Sequence, residues 1–369
     1  MKIAILTFFE SENYGTVLQA YATQKYLEIE GHTAELLHTK RIVNGRSSRF
    51  APVKITPTLS EKIRYKAVTL LKKKSIEEKS EKFKGFRDEH LRVSRYYDSE
   101  EKLLSELEDY DLFVSGGDQI WNPYHKVFSS HYMFDFLPDE KPRISYGSSF
   151  GISEINDELI LSKMKADLSK YRAIGIREQS GVSIVNSMGL KATQVLDPVF
   201  LLNERWSAFV TERPRKKKYC LVYALIGYPE AEKKRIAEFA KKRGLEVVIL
   251  PYNRQNSLNG FKKEFGLSPE EFLNYIAHAE YVFTNSFHGL AFSILFQKQF
   301  ALMGCADDDG IAKRERLVDL LEQFRIGDRS FENAHTDIDY NAVNELMQIK
   351  LSESKKYIKE NIEKSIKQE

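Results

Sequence analysis

Short apolar segments alternate with segments of helical periodicity along most of the chain, and this alternation predicts an α/β fold. Residues 2–8 are apolar enough for a buried strand, and apolar side chains then recur at helical spacing from Leu18 to Ile29. Gly31 follows as a helix-ending residue, and residues 33–38 form the next apolar segment. A strand–helix–strand order of this kind predicts a parallel sheet with right-handed connections.

The alternation occurs in two series, which predicts two domains. A basic segment over residues 213–218 separates the series and has the composition of a linker. A chain of 369 residues is also long for a single hydrophobic core. We predict two Rossmann-like domains, over residues 1–211 and 212–335, that face each other across a cleft, and a C-terminal helix within residues 336–369.

The composition is that of an ordinary globular protein, with 42% apolar and 30% charged residues. No apolar run is long enough to span a membrane. The acidic residues Glu10 and Glu12 follow the apolar N-terminus too closely for a secretory signal peptide. Cys220 and Cys305 lack metal-ligand spacing, so we expect no metal site and a reducing, cytoplasmic location.

The net charge of +3 conceals a basic block over residues 40–96, which is predicted to be helical over residues 60–74 and 76–90. Such a block attracts phosphate groups or an anionic membrane surface, so peripheral contact with the inner membrane face is one interpretation. The other interpretation is a solvent-exposed helical insertion that has no binding partner. No nucleic-acid-binding motif is visible, and nucleic acid is not an expected partner.

The strongest candidate for chemistry is a histidine just past a predicted strand. Residues 281–284 are typical of a buried strand, Asn285 and Ser286 form a polar turn, and helical spacing begins beside His288. Because N–H groups at a helix N-terminus attract anions, a phosphorylated or carboxylated small molecule is the predicted ligand class. We predict that His288 transfers protons near neutral pH. For Asn285 and Ser286, helix capping is the alternative to ligand binding.

Arg177 is the second candidate, because it also lies between a predicted strand and a predicted helix. Its planar guanidinium suits a carboxylate or phosphate, and the alternative is an ion pair with the neighbouring Glu178. Further turns at strand ends are rich in glycine and polar residues, which lets the backbone approach a ligand. The predicted ligand-binding residues are Asn13, Tyr14, Gly15, Gly116, Gly117, Asp118, Gln119, Ser148, Glu178, Asn285, Ser286 and Gly289.

The chain lacks the motifs of several common kinds of site. The first loop is not GxGxxG and no Walker A motif occurs, so ordinary NAD and ATP sites are unsupported. Gly147-Ser-Ser-Phe-Gly151 matches GxSxG, and Asp197 and His288 follow in the order of a hydrolase triad. However, a nucleophile elbow needs a helix directly after the serine, and a polar segment over residues 152–157 follows Ser149 instead. A glycine-rich turn beside a ligand is the better interpretation.

Taken together, the turns and strand ends resemble those of the polysaccharide pyruvyl transferase family. Each motif is short, and the order and spacing of the set carry the resemblance over most of the chain. The motifs are Asn13-Tyr-Gly-Thr-Val-Leu-Gln-Ala-Tyr-Ala22, Val114-Ser-Gly-Gly-Asp-Gln-Ile-Trp-Asn122, Ser145-Tyr-Gly-Ser-Ser-Phe-Gly151, Ile176-Arg-Glu-Gln-Ser180, Val195-Leu-Asp-Pro198 and Asn285-Ser-Phe-His-Gly289.

The resemblance implies a fold like that of the GT-B glycosyltransferases. It also implies transfer of a pyruvyl group from phosphoenolpyruvate to two hydroxyls of a sugar or lipid-linked glycan, as a ketal, without a cofactor. His288 and Arg177 match the family's active-site histidine and strand-end arginine. Many members carry a further arginine two residues before the histidine, and Ser286 occupies that position here.

Two other functions remain open at this point. A GT-B glycosyltransferase that uses a nucleotide sugar would share the fold and the cleft. A non-catalytic relative that binds an anion or a glycan would account for the missing arginine at Ser286. A donor screen separates the first alternative from pyruvyl transfer, and the effect of His288→Ala on turnover and binding separates the second.

Overall fold

The computed structural model describes residues 1–39, 73–125, 128–225, 230–251, 261–304, 310–333 and 336–366. Within these residues the chain forms two parallel β-sheets, one of six strands and one of five, each flanked by helices. The predicted α/β class with two Rossmann-like lobes is therefore confirmed.

The first sheet has the strand order β2-β1-β3-β4-β5-β6. Its strands are β1 (Lys2–Leu6), β2 (Thr33–Leu36), β3 (Leu112–Gly117), β4 (Arg143–Ser148), β5 (Ala173–Ile176) and β6 (Thr193–Gln194). The helices of this part of the chain are α1 (Tyr14–Ile29), α2 (Lys73–His90), α3 (Glu100–Leu104), α4 (Glu158–Leu168), α5 (Gln179–Ser187) and α6 (Pro198–Leu202). The described residues of this part also form the short 3-10 helices Leu107–Asp109, Ser130–Met133 and Asn203–Phe209.

The second sheet has the order β11-β10-β7-β8-β9. Its strands are β7 (Tyr219–Ala224), β8 (Glu246–Pro251), β9 (Lys262–Lys263), β10 (Tyr281–Thr284) and β11 (Gln299–Leu302). The helices that follow the linker are α7 (Glu230–Arg243), α8 (Pro269–Ala277), α9 (Phe287–Leu295), α10 (Gly310–Gln323) and α11 (Tyr340–Ile366), with a 3-10 turn at Phe331–Asn333.

Each sheet reverses its strand order at one point. In the first sheet the reversal lies between β1 and β3, and in the second it lies between β7 and β10. Open parallel sheets leave a crevice at the carboxyl ends of the strands where the order reverses, and ligands bind in that crevice. The loops after these four strands are therefore the expected ligand-binding loops.

The two lobes share one hydrophobic core cluster, to which both sheets contribute. Tyr14, at the start of α1, stacks on Phe272 of the second lobe with ring centroids 4.4 Å apart. The Tyr14 hydroxyl also donates a hydrogen bond to the Leu267 carbonyl at 3.2 Å. Tyr14, a predicted ligand-binding residue, is instead buried between the lobes, because its ring completes this apolar contact.

Helix α2 holds the first lobe against the second. Lys82 forms an ion pair with Glu271 at 2.7 Å, and the Lys79 ammonium donates to the Glu12 carbonyl at 2.9 Å. Phe83 and Phe86 are buried on the same helix. This part of the basic block thus has internal partners, and the predicted helix over residues 60–74 lies almost wholly outside the described residues. Within the described chain, no helix is long and apolar enough to cross a bilayer.

Helix α11 returns to the first lobe. The Tyr357 hydroxyl donates to the Ser145 carbonyl at 3.0 Å, and the Leu196 N–H donates to the Ser354 hydroxyl at 3.0 Å. Ile358 and Ile362 of this helix are buried. The C-terminal helix therefore fixes strands of the first sheet, although it follows the second sheet in the chain.

Candidate active site

A cavity of about 410 Å³ lies where the carboxyl ends of the two sheets meet. It is lined by residues at the ends of β1, β2, β3, β7 and β10, by the start of α1, by the aromatic side chains of His125 and Tyr132, and by one side chain of α10. Both lobes contribute, at the two points where strand order reverses. The polar residues that line it include Glu10, Asn13, Thr16, Asp118, Gln119, Asn285, Ser286, His288 and Arg316.

The turn after β10 is fixed by hydrogen bonds between side chains and backbone. The Ser286 hydroxyl accepts from the Gly289 N–H at 3.2 Å and caps α9, while the Asn285 side-chain oxygen accepts from the Leu225 N–H at 2.8 Å. Thr284 Oγ1 accepts from the Ser286 N–H at 3.0 Å. These bonds place His288 in the first helical turn, as its sequence position predicted. Asn285 and Ser286 both line the cavity and both stabilise the turn.

The imidazole of His288 is held between two lobes and is 4% exposed. Its Nε2 lies 3.5 Å from Asp197 Oδ2 and makes no hydrogen bond within the described residues. Its Nδ1 edge lies against the first turn of α1, since a Cβ at Gly15 would be 2.1 Å from Nδ1. A glycine is therefore needed at position 15 so that the imidazole can approach the backbone of α1. Gly15, a predicted ligand-binding residue, does not itself line the cavity.

Asp197 joins the histidine to the arginine. One carboxylate oxygen, Oδ1, accepts from the Val199 N–H at 3.0 Å and caps α6. The other, Oδ2, lies 3.1 Å from Arg177 Nη1 and 3.5 Å from the imidazole of His288. Burial opposes ionisation of this carboxyl group, but His288 and Arg177 together lower the pKa of Asp197 below its ordinary value.

Arg177 is 1% exposed and lies behind the cavity wall, among carboxylates. Its guanidinium makes ion pairs with Asp118 at 2.8 Å, Asp197 at 3.1 Å and Glu178 at 3.5 Å, and it stacks on the Phe287 ring at 3.9 Å. Burial favours the neutral form, yet the carboxylates raise the pKa of Arg177 above its ordinary value. The ion-pair alternative for Arg177 is therefore realised, and the guanidinium contacts three carboxylates without lining the cavity.

Glu178 is also structural in this arrangement. Its Oε1 accepts from the Phe150 N–H at 2.7 Å, the Gly151 N–H at 3.0 Å and the Ser149 hydroxyl at 3.0 Å. Glu178 thus holds the turn after β4, and Ser149, which is fully buried, also accepts from Arg177 at 3.0 Å. A buried hydroxyl engaged in this way, with no helix directly after it, does not fit a nucleophile elbow.

Other predicted ligand-binding residues serve the fold. A Cβ at Gly116 would lie 2.1 Å from the Tyr146 carbonyl, and Gly117 has φ +128°, so both glycines allow β3 to pass close to its neighbours. The Ser148 hydroxyl donates to the Ser115 carbonyl at 3.3 Å within the sheet. Gly289 lies where a Cβ would be 2.4 Å from Thr284 Oγ1. None of these four residues belongs to the cavity lining in the part of the chain that the structure describes.

Sequence reasoning missed Arg316, which lines the cavity from α10. Its Nη1 lies 2.7 Å from Asp118 Oδ1, the same oxygen that Arg177 approaches from behind. Burial favours protonation of Asp118, but Arg316 and Arg177 lower its pKa well below the ordinary range. A signal was present, because Arg316 lies one helical turn before the buried Leu320 and thus on the buried face of α10. The described residues contain no His, Cys, Asp or Glu cluster placed to hold a metal ion.

Comparison with solved structures confirms the predicted GT-B-like fold. The UDP-N-acetylglucosamine 2-epimerase from Rickettsia bellii superposes with a TM-score of 0.50 at 10% identity, covering 97% of this chain and 95% of that one. The S. aureus MnaA–UDP structure gives a TM-score of 0.50 at 13% identity, covering 96% and 91%. At such low identity these similarities establish the fold alone. No curated protein matches the chain significantly in sequence.

The family is established by a different comparison. The polysaccharide pyruvyl transferase model matches residues 13–307, a span that includes the described cavity residues from Asn13 to His288. This span covers most of the chain, and of the cavity residues only those from Leu6 to Ser11 and Arg316 lie outside it. The chain therefore belongs to the polysaccharide pyruvyl transferase family.

Proposed function

We propose that the protein transfers a pyruvyl group from phosphoenolpyruvate to a sugar diol, forming a ketal and releasing phosphate. The observation that carries this proposal is the cavity at the carboxyl ends of both sheets, which His288 and Arg316 both line together with residues at the N-termini of α1 and α9. Helix N-termini and a guanidinium favour a ligand with phosphate and carboxylate groups. Family membership supports the reaction class.

The dimensions and lining of the cavity suit two small substrates. A volume of about 410 Å³ lies within the range of ligand sites that hold a small molecule. Arg316, Asp118 and His288 form a charged side, whereas Phe8 and Tyr132 contribute aromatic rings 4.5 Å apart. We infer that the donor occupies the charged side and that the apolar face of a sugar ring packs near the aromatic side chains.

The proposed chemistry balances with one donor and one diol. C3 of phosphoenolpyruvate gains a proton, the first sugar hydroxyl adds to the electrophilic C2, and phosphate leaves with its bonding electron pair. The second hydroxyl then adds to C2 and closes the ketal. Of the two protons that the hydroxyls lose, one accounts for the new methyl hydrogen and the other leaves with phosphate. His288 is the proposed group that carries a proton between these atoms.

Asp197 is the proposed positioning residue for this histidine. A carboxylate only accepts hydrogen bonds, so its approach to Nε2 favours a proton on that nitrogen and orients the ring. The opposite edge, with Nδ1, then points toward the first turn of α1, where Asn13 and Thr16 line the cavity. Because C2 becomes electron-poor during the reaction, we expect the guanidinium of Arg316 to contact the phosphate or the carboxylate.

The test is phosphate release from phosphoenolpyruvate in the presence of a panel of glycan acceptors. We expect turnover by the wild type and a loss of about 10²–10⁴-fold in His288→Ala. His278→Ala is the matched control, because His278 lies at the end of α8, outside the cavity lining, and should keep wild-type turnover. Equal rates for wild type and His288→Ala would contradict the assigned role.

The same screen decides between the alternatives. Turnover of a nucleotide sugar, with none of phosphoenolpyruvate, would favour a glycosyltransferase on the same GT-B-like fold. Tight binding of an anion or glycan without turnover of either donor, unchanged in His288→Ala, would favour a non-catalytic relative.

A further inference from the structure

The cavity contains a single permanent positive charge among the described residues that line it. That charge belongs to Arg316, which is 7% exposed, because Arg177 lies behind the wall. Glu10 and Asp118 line the same cavity and repel anions. An anionic donor therefore finds one permanent cationic partner here, in addition to the helix N-termini and the imidazoles of His125 and His288.

The guanidinium of Arg316 is only partly satisfied. Its Nη1 pairs with Asp118 Oδ1 at 2.7 Å, whereas its buried Nε has no hydrogen-bond partner within the described part of the chain. A buried charged donor without a partner is costly, so its presence in a cavity indicates a site that a ligand completes. Asp118 is 23% exposed in its side chain and also holds Arg177, so it stays paired when Arg316 turns to a ligand.

We infer that Arg316 is a donor-binding residue, which receives an anionic oxygen of the phosphate or carboxylate group while Asp118 remains paired with Arg177. This inference rests on the proposed function for the identity of the donor. The two arginines share one oxygen of Asp118, since its Oδ1 lies 2.8 Å from Arg177 Nη2 and 2.7 Å from Arg316 Nη1. Ser286 and His288 line the same cavity as this arginine.

The inference predicts a specific change in affinity. Loss of a charge-assisted hydrogen bond should weaken donor binding by about 10- to 100-fold, and the loss should appear as a raised KM for the donor. Arg316→Gln removes the charge and leaves Asp118 paired with Arg177, so the fold should be retained. Arg316→Lys keeps a charge but loses the planar fork, and its affinity should lie between those of wild type and Arg316→Gln.

The experiment is calorimetric titration of the full chain with phosphoenolpyruvate and, separately, with inorganic phosphate. Arg314→Gln is the matched control, because Arg314 is exposed on the same helix and should bind like wild type. Thermal unfolding of each variant checks that it is folded. Equal affinities for wild type, Arg316→Gln and Arg314→Gln would overturn the inference.

The two ligands separate the inference from the proposed function. Binding of phosphate that depends on Arg316, without binding or turnover of phosphoenolpyruvate, would refute the proposed donor and leave the anion site in place. Turnover of phosphoenolpyruvate that Arg316→Gln does not alter would support the function and overturn the inference. Wild-type protein that binds neither anion would overturn both.

Discussion

The approach of Gly15 to His288 gives a prediction that does not depend on the identity of the donor. A Cβ at position 15 would lie 2.1 Å from His288 Nδ1 and 2.3 Å from Cγ. Ordinary contact needs about 3.5 Å, so in Gly15→Ala the ring and α1 must separate by roughly 1.4 Å. Displacement of a catalytic group by about 1 Å costs on the order of 10²-fold in rate, and overpacking costs about 1–3 kcal/mol of stability.

The assay for Gly15→Ala is turnover together with thermal unfolding, with Gly85→Ala as the control. Gly85 lies in α2, where an added Cβ would meet no side chain or neighbouring element within 4 Å, so alanine there should be neutral or slightly stabilising. In the double variant Gly15→Ala/His288→Ala the contacts with Nδ1 and Cγ are removed and only the Cβ of residue 288 remains close, at 2.8 Å, so the unfolding midpoint should rise above that of Gly15→Ala. Wild-type rate and stability in Gly15→Ala would refute the described packing of the histidine.

Three further outcomes are expected. Asp197→Asn should lower kcat by about 10²-fold or more with little change in the KM for the donor, because the ring loses its orienting carboxylate, and an unchanged kcat in initial-rate measurements would contradict this. The ionised side chain of Asp118 stabilises the fold above the unfolded-chain pKa of about 3.9, and this contribution is lost as pH falls through its lower folded-state pKa. The difference in unfolding midpoint between wild type and Asp118→Asn should therefore be large at neutral pH and shrink in acid, and a constant difference would be inconsistent with the ion pairs. If the basic block docks on a membrane, co-sedimentation with anionic liposomes should decrease with salt, and binding that ignores lipid charge would argue against it.

The sequence predicts most of the fold because strand and helix periodicities are local. Residues 2–8 contain β1, and the start of α8 is marked locally by the Ser268 capping box and the proline that follows it. The predicted separate helix from residue 76 is wrong, since α2 runs without a break from Lys73. Ser75 and Ile76 continue the helix because tertiary contacts of the two phenylalanines, Phe83 and Phe86, decide its extent more than local composition does.

The sequence predicts only part of the candidate site, because some of its residues are placed by contacts between distant segments. His288 is recognisable because strand, turn and helix follow one another in a short stretch of sequence. The sequence also identifies Arg177 as a candidate site residue. Whether its guanidinium faces a ligand, however, depends on ion pairs with Asp118 and Asp197, which are distant in the chain. Arg316 comes from a helix that no local motif connects to the site. Ion pairs between distant segments therefore decide which arginine lines the cavity, and such pairs are not encoded in a local pattern.

The most direct test of the central claim follows the new methyl hydrogens. Wild-type protein, phosphoenolpyruvate and a glycan acceptor are incubated in heavy water, and the product is analysed by mass spectrometry and NMR. The account predicts a pyruvyl ketal with one deuterium in its methyl group, formed by the wild type and by His278→Ala but not at a comparable rate by His288→Ala. No ketal from any acceptor tested, or equal labelling and rate in His288→Ala, would contradict it.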